Sequence, residues 1–71
     1  MTLFEVLEYG DIVASDEDTQ RIVVWNTSVT LNMFAVDGDT YRNVDCCTLG
    51  KVSRAHAKKH ATEWLKESSD V

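Results

Sequence analysis

Two histidines and two cysteines are the residues whose type and spacing point most directly to chemistry. His56 and His60 lie four positions apart in a stretch with helical periodicity, so one helix face presents both imidazoles, a spacing that can bind zinc. The metalloprotease pattern requires glutamate directly after the first histidine, where this chain has Ala57, and no third ligand follows. We therefore predict that the two histidines are solvated and that the chain holds no metal and no cofactor.

Cys46 and Cys47 are adjacent in sequence, so a disulfide between them would close almost no loop and gain almost no chain entropy. In a strand, one thiol would face inward and the other outward. A nucleophilic cysteine needs a base beside it, and only the fold could bring a histidine close enough. We predict free thiols, no catalytic residues and no enzymatic activity.

The elements that must position these residues are mostly strands. Apolar alternation and β-branched or aromatic content predict strands over residues 2–9 (continuing over 12–14), 19–26, 29–36 and 40–47. Asn26–Ser28 is a plausible turn. Asp37-Gly38 predicts a hairpin with a type I′ turn, because both central residues of that turn need a positive φ.

The apolar period then changes from two to about 3.6. Ser53 is a good N-cap, and a helix is predicted from Arg54 to about Glu67 with an apolar face of Ala57, Ala61, Trp64 and Leu65. Hairpin connections make the sheet antiparallel. The predicted fold is α+β, a three- to four-stranded antiparallel sheet followed by one C-terminal helix packed on one face, in a single domain over residues 1–71.

The strands carry apolar side chains on both faces of this sheet. Residues 22–25 read Ile-Val-Val-Trp, and successive side chains of a strand point to opposite faces. One helix of about 20 Å covers one face only. The sequence therefore predicts an exposed apolar patch that acts as a protein interface, in which two copies pack sheet against sheet as a homodimer. The interface residues of this prediction are Val23, Trp25, Phe34 and Val36.

Charge is unevenly distributed along a chain whose formal net charge is −5. Residues 1–45 hold nine acids against two arginines, and residues 46–71 hold five bases against three acids. The predicted acidic surface, which would steer a basic partner or imitate a phosphate backbone, is Asp11, Asp16, Glu17, Asp18, Asp37 and Asp39. An alternative is nucleic-acid contact by a basic helix start, Lys51, Arg54, Lys58 and Lys59, although the acids would repel the same phosphates.

The N-terminal residues lack the basic start and apolar core of a secretion signal, and no stretch approaches 18 apolar residues. From these features we predict a cytoplasmic protein without a membrane span. We predict that its surface binds another copy of the chain and a separate protein, rather than nucleic acid or lipid.

Residues 36–66 contain Asp37-Gly38, Tyr41, Val44-Asp45, Thr48-Leu49, Ala57, Ala61 and Glu63-Trp64-Leu65. Through these residues the C-terminal half resembles the hairpin-then-helix ending of many short bacteriophage proteins. This resemblance implies a small inhibitor or adaptor that binds a host protein, such as a defence or nucleic-acid enzyme, in the host cytoplasm. The strand order followed by a helix also resembles integrase arm-binding domains, but their DNA-reading sheet is basic, whereas Asp11, Asp37 and Asp45 make this sheet acidic.

Overall fold

A computed structural model describes residues 1–26 and 29–69 of the chain. The elements are helix α1 (Leu3–Leu7), strands β1 (Asp11–Asp16), β2 (Arg21–Asn26), β3 (Thr30–Asp37) and β4 (Thr40–Thr48), and helix α2 (Arg54–Ser69). The strands form one antiparallel sheet in the order β1-β2-β3-β4. The predicted α+β fold with a C-terminal helix is confirmed. The turn predicted at Asn26–Ser28 lies partly outside the described residues.

The first predicted strand, residues 2–9, is wrong, because this stretch forms α1 instead. Thr2 and Glu5 make a capping box: the Glu5 N–H donates to Oγ1 of Thr2, and the Thr2 N–H donates to Oε1 of Glu5 at 3.0 Å. These bonds satisfy amides that an uncapped helix start would leave unpaired. The first strand of the sheet begins only at Asp11, after the break at Gly10.

The hairpin predicted at Asp37-Gly38 is present but shifted by one residue. Asp37 pairs with Thr40, which makes Gly38 and Asp39 the two central residues of the turn. Gly38 has a φ of +61°, and Gln20 is the non-glycine with positive φ in the described chain. A positive φ at the first central residue alone is typical of a type II′ turn, not of the predicted type I′.

Helix α2 covers one face of the sheet, mainly over β1 and β2. Its start is capped by Ser53, whose Oγ accepts the His56 N–H at 3.2 Å. Ala57 and Ala61 are fully buried, so the helix backbone approaches the sheet closely. The predicted apolar face of α2 is thus confirmed, and the cluster beneath it consists of Val13, Val23, Leu31, Met33, Ala61 and Leu65.

Helix α1 covers the opposite face. Val6 on α1 is fully buried with Val24 and Phe34, and the ring of Tyr9 meets that of Phe34 edge-on at a centroid distance of 5.3 Å. The apolar side chains that alternate along β2 and β3 are therefore divided between two clusters, one beneath each helix.

This arrangement corrects the predicted interface of Val23, Trp25, Phe34 and Val36. Val23 and Phe34 have no exposed surface, and Trp25 and Val36 are half-buried. Trp25 packs against the cluster beneath α2. The prediction failed for two reasons. The N-terminal residues form a helix that covers Phe34, and the β2–β3 register pairs Val23 with Met33, which places Val23 beneath α2 and on the face opposite Phe34. The central apolar residues of β2 and β3, on which the predicted sheet-to-sheet pairing depended, therefore lie beneath the two helices.

Candidate functional site

Helix α1 turns a row of apolar side chains toward solvent. Leu3, Phe4 and Leu7, here called the α1 surface, are 43%, 85% and 46% exposed. Leu7 follows Leu3 by four positions and Phe4 by three, so the three side chains are neighbours on one helix face, while Val6 points into the sheet. Phe4 is the most exposed large apolar side chain in the described part of the chain.

Several contacts hold α1 in place although five residues are too few for a stable isolated helix. The Tyr41 N–H donates to the Met1 carbonyl at 2.8 Å, which ties the chain before α1 to the outer edge of β4. Hydrogen bonds from the Thr2 backbone and side chain lower the pKa of Glu5 below its ordinary value. Together with burial of Val6, these contacts present the α1 surface on a fixed support.

The fold brings together two acidic turns that are distant in sequence. The Val36 N–H donates to the Gln20 carbonyl at 2.7 Å, so the β1–β2 and β3–β4 turns lie at the same end of the sheet. The Met1–Tyr41 contact brings the start of α1 to that end as well. We call this region the acidic end, and its members are Asp16, Glu17, Asp18, Asp37 and Asp39.

Asp11, the sixth residue of the predicted acidic surface, lies at the opposite end of β1. Its Oδ2 accepts a hydrogen bond from Arg54 at 3.0 Å, with both side chains largely exposed. Arg54 belongs to the predicted nucleic-acid contact with Lys51, Lys58 and Lys59, which are all exposed. This ion pair links one residue of the predicted acidic surface to one residue of the predicted nucleic-acid contact. The charges of Asp11 and Arg54 therefore partly neutralise each other. As an exposed ion pair, it contributes at most about 1 kcal/mol to stability.

The structure places the two histidines on α2 and the two cysteines on β4. His56 and His60 are exposed, and their rings stack at a centroid distance of 6.3 Å. Cys46 is exposed, whereas Cys47 packs against the cluster beneath α2 and lines a cavity of about 170 Å³ with His60. Burial, then the charge of Asp45, raises the pKa of Cys47, which disfavours the thiolate. No group of three or more potential metal ligands occurs among the described residues.

The sequence interpretation missed the α1 surface although a signal for it was present. Thr2 and Glu5 match the capping-box pattern, which predicts a helix start and would have placed Phe4 and Leu7 on a helix. The alternation of apolar and acidic residues in this short stretch fits a strand equally well, because five residues cover little more than one helical turn.

No protein-family model, no curated protein and no solved structure matches this chain. Within the described ranges, neither helix has the length and hydrophobicity required to cross a lipid bilayer. The α1 surface and the acidic end are therefore the candidate site on the described part of the chain.

Proposed function

We propose that this chain is a non-catalytic binding protein whose α1 surface inserts into an apolar groove of a partner protein. The observation that carries this proposal is the 85% exposure of Phe4 on a helix that is capped and anchored. Aromatic side chains that are exposed on a rigid support are typical anchors of protein interfaces. A fixed helix also loses little conformational entropy when it binds.

The charge around α1 indicates the chemistry of the partner. Glu5 and Glu8 are exposed on α1, and the acidic end lies beside its first residues. A groove bordered by lysine or arginine would complement this distribution and would be found faster through electrostatic steering. The proposal keeps the apolar contact and the acidic rim that the sequence predicts. It assigns the apolar contact to α1 in place of the sheet.

The resemblance of residues 36–66 to bacteriophage proteins extends this proposal to a biological setting. Under this hypothesis the chain is an inhibitor or adaptor, its partner is a host protein, and the two meet in the cytoplasm of the host. A second copy of the chain is the competing occupant of the α1 surface. Pairing two α1 surfaces would bring Glu5, Glu8 and the acidic end of one copy close to the same acids of the other copy. A different, basic-rimmed protein is therefore the occupant that we propose.

Replacement of Phe4 by lysine tests this proposal, with Val44→Lys as the matched control. Val44 is 37% exposed on β4 and lies outside the α1 surface. Proteins captured by the wild type are purified and titrated with all three chains by calorimetry. We expect Phe4→Lys to weaken binding by about 100-fold, as for an aromatic hot spot, and Val44→Lys to change it little.

Equal affinity of all three chains for every captured protein would contradict the proposal. Sedimentation velocity of the isolated chain provides the second readout. A dimer that Phe4→Lys dissociates would assign the α1 surface to self-association and would overturn the proposal of a different partner. Circular dichroism of each variant verifies that a loss of binding does not come from unfolding.

Nucleic-acid contact through Lys51, Arg54, Lys58 and Lys59 stays a hypothesis without a specific structural observation in its favour. The Arg54–Asp11 pair already occupies one of these four cations. Salt-dependent retention on DNA that is lost on replacement of Lys59 would favour this alternative over the α1 surface.

A further inference from the structure

Strand β1 has one free edge. It is the terminal strand of the sheet, and in the chain as described its neighbour is β2 alone. Alternate residues of such a strand direct their N–H and C=O groups away from the sheet, where an extended chain can add as a further strand. The register shifts between Ile12 and Ala14, so Val13 forms a bulge and residues 14–16 are the regular part of the edge within the groove.

Helix α2 runs beside this edge and turns it into one side of a groove. The groove has a volume of about 530 Å³ and is lined by residues 12–16 of β1 and by Lys58, Thr62, Leu65 and Lys66 of α2. Val13 and Leu65 are 6% and 4% exposed and belong to the core cluster, so they form an apolar floor. A strand added to β1 would therefore direct alternate side chains toward α2.

The helix wall of this groove is cationic in a protein with a net charge of −5. Lys58 and Lys66 lie two helical turns apart, about 12 Å along the axis, with Thr62 between them. Side chains four positions apart on one face of a strand are separated by about 13 Å. Acidic side chains at positions i and i+4 of an added strand thus match the spacing of the two lysines.

We propose that the groove between β1 and α2 binds an extended acidic segment of a partner protein as a fifth strand. The segment carries carboxylates at i and i+4 toward Lys58 and Lys66, and a small or apolar side chain at i+2 over Val13 and Leu65. Lys66 already has an interaction within the chain, so the test depends on Lys58. This groove is separate from the α1 surface and does not depend on it.

A second copy of the chain fits the groove less well than an acidic segment. Antiparallel pairing of two β1 strands would set the lysines of two α2 helices side by side, whereas an acidic segment places carboxylates opposite these lysines. Like charges set side by side are destabilising.

The probe is a ten-residue fluorescein-labelled peptide that alternates threonine and valine and has glutamate at two positions four apart. Its affinity for the full chain is measured by fluorescence anisotropy beside a peptide with lysine at the same two positions. We expect the glutamate peptide to bind and Lys58→Glu to weaken it by about tenfold or more. Lys59→Glu, the matched control on the next residue of α2 and outside the groove, should change the affinity by less than about twofold.

Equal weakening by Lys58→Glu and Lys59→Glu would overturn the proposal, since it would show attraction to the overall charge and not to the groove. Absence of binding up to about 1 mM peptide, or equal affinity for the two peptides, would overturn it as well. Methylation of alternate peptide amides must abolish binding if the segment pairs with β1. Phe4→Lys should leave peptide binding unchanged, which separates the failure of this proposal from the failure of the α1 surface.

Discussion

Gly10 connects α1 to β1 at a position where a side chain does not fit. Its φ is +145°, and a Cβ atom would lie 2.0 Å from the carbonyl oxygen of Trp25 in the neighbouring strand. We expect Gly10→Ala to reduce the free energy of unfolding by roughly 2–4 kcal/mol. Urea denaturation followed by circular dichroism measures this change. Gly50→Ala is the control: with a φ of +79° and no atom near its Cβ, it should cost only about 1 kcal/mol, and equal costs would refute the argument.

The two adjacent cysteines should differ in reactivity. Cys46 is exposed, whereas burial and the nearby charge of Asp45 raise the pKa of Cys47. The thiolate is the form that reacts with iodoacetamide. At about pH 8 we expect the chain that retains only Cys46 (Cys47→Ser) to be alkylated about tenfold faster than the chain that retains only Cys47 (Cys46→Ser). Mass spectrometry of timed samples gives both rates, and similar rates would show that Cys47 is not shielded.

At the scale of the element, the Glu5 carboxylate completes the capping box of α1. Its pKa is lowered from 4.5 by the hydrogen bonds of Thr2, so the folded state binds this proton less readily than the unfolded state. The stabilisation is complete above the unfolded pKa and is lost as the pH falls through the lower folded pKa. We expect the NMR signals of the Val6 methyl groups to shift as α1 loosens below about pH 4.

Glu5→Gln is the matched control for this titration, because the amide keeps an oxygen acceptor but cannot ionise. The pH-dependent shift of the Val6 signals should be absent in this variant. If wild type and Glu5→Gln show the same profile, another acid controls the docking of α1. The same measurement reports on the proposed function, since a loosened α1 would no longer present Phe4 on a rigid support.

At the scale of the whole molecule, the two helices bury the apolar side chains at the centre of the sheet. Its accessible surface is 4751 Å², close to the roughly 4,500 Å² expected of a folded monomer of its mass. The two clusters, beneath α1 and beneath α2, share the sheet between them. The apolar side chains that remain exposed include the α1 surface and also Ile12, Val29 and Val44.

The sequence by itself determined the elements whose signals are local. Alternation located β2, β3 and most of β4, and their pairing follows from short connections. Ser53 and the spacing of Ala57, Ala61 and Leu65 located α2 and its buried face. These patterns are readable because each repeats over two or more turns or pleats within one segment.

Only the tertiary structure decided which face each helix covers and which charges become neighbours. The identity of α1 depends on a single capping box and on its packing over Phe34, and a strand in place of that helix predicts an exposed Phe34. At the acidic end, the Val36 N–H of β3 donates to the carbonyl of Gln20, which directly precedes the neighbouring strand β2. The β1–α2 groove joins segments more than forty residues apart. Such contacts depend on long-range packing, which leaves no periodic trace in the sequence.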